Sequence, residues 1–330
     1  MRRWGWVYGL LAGCSFGGGG PTEPSLNSVG DGDSTAAITS GIGESTTVMA
    51  PGDATTPSDD TTTASPTTAG ADAETLTGDP AEGSTTGPPM LEGLVEADLL
   101  VRYFLDEQPS ERPRDGAEIF DYGPGVPVDL MTLVVNNQPY YQQDALNTGL
   151  SWDNPNNTGR AIAPVLGTKL ANLNGATELT IEFVASVASL AQMGSRFVHV
   201  GADSSQHSFA VAARPNQLEF RSAQSNEQAV WEGLALSPAR AVYILVVDLN
   251  RKRDPYLLFV NGTPFQPTAT APQQAQISLN PDHFLSLGNR DDGSRALGGT
   301  LYYAALYSRA LSLTEILHDT ELLSQDDDQQ

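Results

Sequence analysis

Two kinds of side chain in this chain could do chemistry: carboxylates able to pair for acid–base hydrolysis, and aromatics set among amides that could stack on sugar rings. Retaining glycoside hydrolysis needs two carboxyl groups roughly 5–5.5 Å apart. Glu178 and Glu182 share one run but have apolar neighbours and no Asp between them, while Glu219 and Asp248 stand alone on theirs. The aromatic signal is stronger. Asn136-Asn137-Gln138-Pro139-Tyr140-Tyr141-Gln142-Gln143, followed by Ser151-Trp152-Asp153-Asn154, combines rings, amides and a carboxylate in segments read as polar loops, where ligand contacts concentrate. Tyr140, Tyr141, Trp152, Asp153 and Asn154 are therefore the candidate ligand-binding residues. Metal and thiol chemistry is poorly supplied. His199, His207, His283 and His318 are scattered without an i, i+4 pair, and the single cysteine excludes an intramolecular disulfide or a thiolate cluster. His199, alternating within Phe197-Val198-His199-Val200, reads as a satisfied strand residue, and Arg251-Lys252-Arg253 as a solvated basic turn.

The elements that must position these residues are strands. Of 330 residues, 40 are Asp or Glu and 17 are Lys or Arg, a net charge of −23. That balance argues against nucleic acid as a partner, because phosphate binding needs a concentrated positive surface. Residues 15–96 contain 13 acidic residues and no Lys or Arg. Their Ser, Thr, Gly, Pro and Asp richness, with large apolar residues only singly, cannot offset conformational entropy and predicts a disordered linker spanning roughly 50 Å. From residue 97 the texture changes to short Val, Ile, Leu, Phe and Tyr runs. In Glu178-Leu179-Thr180-Ile181-Glu182-Phe183-Val184-Ala185, the residues Leu179, Ile181, Phe183 and Ala185 share one face, the period of a half-buried strand. Similar runs occur at 99–105, 196–200, 208–212, 217–221, 242–249, 256–260, 284–287 and 300–307. Asn261-Gly262 predicts a type I′ hairpin turn. Ser312 with Glu315 predicts the capping box of one late helix. Many short strands without intervening helices predict an all-β, antiparallel two-sheet sandwich.

The first fourteen residues read as an address. Arg2 and Arg3 precede an apolar run, Trp4 to Gly13, too short to span a bilayer. Leu11-Ala12-Gly13-Cys14 resembles the bacterial lipobox, which implies lipidation at Cys14, and Ser15 after the cysteine implies sorting to the outer membrane. The expected organisation is a lipoprotein signal peptide (1–14), the linker (15–96), a folded domain (97–323) and an acidic tail (324–330). The domain would face the periplasm or the cell surface.

The folded part resembles the laminin-G-like, concanavalin A-like jelly-roll family. The opening, Leu99-Leu100-Val101-Arg102-Tyr103-Phe104-Leu105-Asp106-Glu107 followed by Asp121-Tyr122-Gly123, is similar to the family's first strand and loop. Leu257-Leu258-Phe259-Val260-Asn261-Gly262 is similar to its central hairpin. Leu287-Gly288-Asn289, Gly299-Thr300-Leu301 and Leu306-Tyr307-Ser308-Arg309-Ala310-Leu311-Ser312 with Glu315-Ile316 follow its ending. The resemblance implies a jelly roll with one C-terminal helix. It makes calcium the one cofactor to consider, with Asp121, Asp203, Asp291 and Asp292 as candidate ligands. Tyr302 and Tyr303 stand where relatives commonly carry Asp-Glu, so a ligand of that ion would be missing. Hydrolases of this fold typically place Glu-x-Asp-x-x-Glu on one strand, and no such run is present. The expectation is a non-catalytic envelope lipoprotein that binds a glycan or protein ligand. The alternatives are an adhesive or structural scaffold and a glycoside hydrolase.

Overall fold

The computed structural model describes residues 93–106, 115–144, 147–192, 194–202, 207–222 and 225–325. Cys14, residues 15–92 of the expected linker, Asp203 and the last five residues lie outside them; residues 93–96, expected to belong to the disordered linker, instead pack on the domain, with Leu94 and Val95 buried. In chain order the first strands are β1 (Leu99–Phe104), β2 (Glu118–Ile119), β3 (Leu130–Leu133), β4 (Tyr140–Gln143), β5 (Thr148–Trp152), β6 (Arg160–Pro164), β7 (Glu178–Ser189) and β8 (Ser195–Gly201). They continue as β9 (His207–Arg214), β10 (Gln217–Ser222), β11 (Ser225–Glu232), β12 (Ala241–Asp248), β13 (Tyr256–Val260), β14 (Thr263–Phe265), β15 (Ala269–Thr270), β16 (Phe284–Leu287) and β17 (Gly298–Tyr307), before helix α1 (Leu313–Gln325). A 3₁₀ turn, Lys169–Leu173, precedes β7.

Among the described residues these strands form two antiparallel sheets. One runs β14-β13-β12-β7-β17-β5-β4, with β1 alongside β5 on the same flank of β17; the other runs β15-β11-β10-β9-β8-β16-β6-β3-β2. Period-2 alternation explains the layering. Leu179, Ile181, Phe183 and Ala185 of β7 enter the core between the sheets, where they meet Phe197, Val198 and Val200 of β8 and Phe209 and Val211 of β9. Phe183 stacks on Phe197 at 4.6 Å and on Tyr243 at 5.0 Å between ring centroids, tying the layers together.

The other face of β7 departs from the half-buried strand expected of it. Thr180, Glu182 and Val184 are buried as well, because α1 and the segment from Leu94 to Leu99 cover the back of the eight-stranded sheet with Leu311, Ile316 and Leu323. The helix starts as its capping box predicts. Ser312 N–H donates to Glu315 Oε2 (2.8 Å) and Glu315 N–H to Ser312 Oγ (3.4 Å). Arg309 adds a two-pronged contact to the Glu315 carboxylate (2.9 and 2.7 Å). The hairpin at Asn261-Gly262 also holds, with φ of 48° and 74° and Val260 paired to Thr263.

The segments read as polar ligand loops prove to be a strand hairpin. Tyr140 pairs with Ser151 and Gln143 with Thr148, so β4 and β5 form one edge of the eight-stranded sheet. Short strands flanked by Asn, Gln and Pro carry little hydrophobic period, which is why the pattern missed them, along with β3, β6 and β11.

Candidate functional site

The expected sugar platform is divided by the fold. Trp152 is a core residue, with its side chain 1% exposed and its indole N–H bonded to Gly159 O (2.9 Å). The backbone of Gly288 packs directly on its ring, where any Cβ would come within 2.0 Å. Trp152 therefore cannot stack on a ligand, which corrects the reading of it as a surface aromatic. Tyr140 and Tyr141 are half-buried; Tyr141 leans on the core, and the Tyr140 hydroxyl bonds to Asp153. Asp153 also exchanges contacts with Gln138 (3.2 and 3.1 Å), and Asn154 caps its own turn through Asn156 N–H (2.8 Å). What these residues form is a braced hairpin edge.

Of the calcium candidates, Asp203 lies outside the described residues, and Asp121, Asp291 and Asp292 form no common metal-holding group. Asp121 Oδ1 accepts the N–H groups of Arg102 (3.0 Å) and Gly123 (2.7 Å), and Oδ2 accepts Val128 N–H (3.0 Å) and the Lys169 ammonium (2.7 Å). Its oxygens already organise the loop after β1. Asp292 pairs with Arg290 and accepts Ser294 N–H (3.0 Å). Asp291 beside it is held up to about 6 by burial and by the Asp292 charge. No group of three or more His, Cys, Asp or Glu able to hold a metal ion occurs among the described residues.

Two facing acids do occur, but not in a cleft. Glu182, fully buried behind β7, lies beside Asp319 of α1. Tyr307 donates to Glu182 Oε2 (3.0 Å), and Arg102 bridges Val95 O (2.7 Å), the Tyr303 hydroxyl (3.1 Å) and the Tyr307 hydroxyl (3.3 Å). Burial pushes the Glu182 carboxyl well above the ordinary range, and the neighbouring Asp319 charge adds to the shift. Burial likewise raises Asp319. Two carboxyls and one guanidinium thus share one buried network, in which Glu182 Oε1 has no hydrogen-bond partner. The network latches the helix to the sheet and is sealed from substrate. Tyr303, read as a lost metal ligand position, is part of it. A second buried pair, Ser208 Oγ and His283 Nδ1 (2.8 Å), also binds Asn280 N–H (3.0 Å) and ties down the loop before β16.

The polar chemistry that sequence reading missed lies on the outer face of the nine-stranded sheet. Register places Arg221, Ala210, His199, Ser286 and Ile162 in one row across β10, β9, β8, β16 and β6. The adjacent row is Val230, Glu219, Ala212 and Arg196. Each alternates with core residues, so each side chain points away from the sandwich interior. Ala210 and Ala212 of β9 lie between His199 and Arg196 on one side and Arg221 and Glu219 on the other; at about 4.8 Å per strand the flanking strands are roughly 10 Å apart, and all six side chains are buried.

Glu219 is the hub of this face. It takes Arg221 Nε (2.6 Å), Gln217 Nε2 (2.7 Å) and Arg214 (3.2 Å), and Glu227 takes Arg214 (3.3 Å) and Arg221 (3.4 Å). Arg290 and Arg295 join from the loop after β16, which Asn289 pins by donating to Asn157 O and Gly159 O (both 2.9 Å) and accepting from Arg295 N–H (2.8 Å). His199 keeps both ring nitrogens, and Ser286 its hydroxyl, without a hydrogen bond while buried. Burial, then the charges of Arg196 and His207, hold His199 well below its usual value, so its imidazole is neutral. Away from this face, an open cleft of about 230 Å³ is lined by Val187, Leu190, Pro215 and Leu236 among others, with no titratable side chain in its wall.

Residues 161–317 match a laminin G family model described as the concanavalin A-like lectin/glucanases superfamily. The sandwich is accordingly a concanavalin A-like jelly roll. No curated protein matches the chain. Among solved structures it is similar to Trypanosoma rangeli sialidase in complex with a difluoro-KDN, at 19% identity and a TM-score of 0.45, covering 74% of this chain and 36% of that one. It is also similar to the binding domain of botulinum neurotoxin serotype D, at 11% identity and a TM-score of 0.46, covering 69% and 52%. This chain thus spans about a third of the sialidase and about half of the toxin domain.

Proposed function

We propose that this protein is a non-catalytic binding module that takes a carbohydrate on the outer face of its nine-stranded sheet. One observation carries the reading. In the row through Ala210, neutral His199 and the Ser286 hydroxyl are buried with unused hydrogen-bonding capacity, and buried polar groups without partners are costly and mark places where a partner is received. Sugar hydroxyls both donate and accept, as these groups do. A glycoside hydrolase is less well supported, because the facing acids Glu182 and Asp319 are enclosed beneath α1. We further propose that the N-terminal segment anchors the domain to a bacterial envelope through lipidated Cys14 and the acidic linker, with the outer membrane as its location.

The test is a glycan array probed with the full chain and with His199→Ala. Signal on a defined set of glycans, weakened by His199→Ala while the melting temperature holds, supports the reading. Binding indifferent to His199→Ala would put the site elsewhere, and a blank array would favour a scaffold. For the anchor, Cys14→Ala should release the protein from membranes; unchanged membrane retention would end that proposal.

A further inference from the structure

We infer that the outer face of the nine-stranded sheet selects an acidic saccharide, gripping a carboxylate or sulfate through Arg196, Arg214 and Arg221. The inference rests on the binding role of that face proposed above and adds to it the charge of the ligand.

The first argument is where the positive charge is. In a chain of net charge −23, five arginines from separate strands and one loop converge here: Arg196 on β8, Arg214 on β9, Arg221 on β10, and Arg290 and Arg295 after β16. Against them stand Glu219, Glu227 and Asp292, which pair with them, and Asp291, which lies in the field of Arg290, so the arginines outnumber the carboxylates by five to four. Glu232 lies at the far edge, opposite Gln217. Positive charge concentrated against the field of the whole molecule needs a local reason, and attraction of an anion is the direct one.

The second argument is the state of Arg196. Its side chain is buried, and no carboxylate lies within ion-pair distance among the described residues. Nη1 reaches only the carbonyls of Gly194 (3.2 Å) and Ser195 (3.5 Å), and Nε donates to nothing. A buried cation without a counter-ion is expensive to keep. Burial, with Arg221 and Arg290 close by, pushes its pKa down to about 9. An oxyanion from outside would relieve both the desolvation and the mutual repulsion.

The third argument is pre-organisation. A Cβ on Gly194 would stand 3.2 Å from Arg196 Nη1 and 3.6 Å from Arg214 Cγ, so the two side chains lie side by side over that glycine. Glu219 holds Arg214 and Arg221 in place from below. Arg221 spends Nε and Nη2 on Glu219, and Arg214 spends Nε on Glu219 and Nη2 on Glu227, so of the three Arg196 is the one whose planar fork, suited to a two-oxygen anion, no carboxylate occupies. The neutral His199 and Ser286, in the same row as Arg221, suit ring hydroxyls, which makes a saccharide carrying the anion a better match than a bare ion.

The experiment uses the full chain and isothermal titration calorimetry with four probes: oligogalacturonate, its methyl ester, dextran sulfate and inorganic phosphate. The expected result is binding of oligogalacturonate or dextran sulfate at least about tenfold tighter than of the methyl ester, with affinity falling as NaCl rises from about 50 to about 500 mM. Which of the two binds tells carboxylate from sulfate. Arg196→Gln should weaken binding about tenfold, and Arg251→Gln, in a distant turn, should not. If Arg196→Gln lowers the melting temperature severely, Arg214→Gln, whose side chain is 35% exposed, carries the same expectation. Equal, Arg196-dependent binding of acid and methyl ester would overturn the inference and leave the binding face standing. Phosphate binding as tight as the acidic sugars would overturn the saccharide component. Acid binding insensitive to both arginine variants would move the anion site elsewhere, and no binding by any probe would overturn the inference together with the reading beneath it.

Discussion

Arg102→Met tests the latch between α1 and the sheet. Arg102 is the only cation among the described contacts of a network that includes Glu182, Asp319, Tyr303 and Tyr307, and it gives hydrogen bonds to Val95 O, Tyr303 and Tyr307. Methionine keeps most of the volume and removes the charge and the donors. Breaking a buried ionic network by deleting one partner costs about 3–5 kcal/mol, since the remaining carboxylate charge has no counter-ion. At about 2–4 °C per kcal/mol for a domain of this size, the melting temperature should fall by about 6–20 °C. The assays are a thermal melt, which reads that fall, and urea denaturation, which reads the free energy, both followed by circular dichroism, with the linear urea slope checked so that only stability has changed. Adding Glu182→Gln in the same chain should recover part of the loss, because one carboxyl no longer needs a proton and the amide still accepts from Tyr307 and donates to Asp319. A coupling of about 1 kcal/mol or more between the two changes is expected for residues sharing one network. A loss below about 1 kcal/mol for Arg102→Met, or strict additivity in the double variant, would refute the assignment of these groups as one charge-balanced unit.

Three further outcomes follow from the geometry. Glu315 is depressed to about 2, first by its hydrogen bonds from Arg309; its stabilising contribution is therefore complete above the ordinary glutamate value near 4.5 and is lost as pH falls through about 2. Glu315→Gln should flatten that acid limb of the stability curve, and an unchanged limb would sink the assignment. Glu182 runs the opposite way: its raised folded value makes its contribution largest below the ordinary glutamate range and erodes it as pH rises, so Glu182→Gln should gain on the parent protein toward alkaline pH, and a constant difference across pH would contradict this. Gly288→Ala places a Cβ 2.0 Å from the Trp152 ring at a φ of +68°, and should cost about 3 kcal/mol in denaturant titration; a loss below about 1 kcal/mol would show that the contact relaxes freely.

Legibility followed the strength of local pattern. β7 was readable because Leu179, Ile181, Phe183 and Ala185 recur at every second position, and β12, β13 and β17 because they are near-continuous apolar runs bounded by turn residues. The capping box and the Asn261-Gly262 turn were readable because each is complete within four residues. β4 and β5 were not, since Gln, Asn and Thr within them hide the period, and Trp152 looked like a ligand platform because nothing near it in sequence reveals Gly288 packed on its ring. The Arg196–Arg221 face was invisible for a related reason. Its arginines are spread over a hundred residues, and only the antiparallel register sets them side by side, whereas Arg251-Lys252-Arg253, adjacent in sequence, ends in a turn where Arg251 simply pairs with Asp248 at 2.8 Å.

Sequence by itself determined that residues from about 97 onward close as a two-layer β sandwich with a capped helix at the end, because alternation and capping are local and need no knowledge of distant neighbours. The tertiary structure alone decided which polar residues meet. It buried Glu182 against Asp319, spent Asp121 on backbone N–H groups and Lys169, sank Trp152 into the core and gathered arginines on one sheet face of an acidic chain. Strand register, a relation between residues far apart along the chain, is what converts a list of side chains into a site.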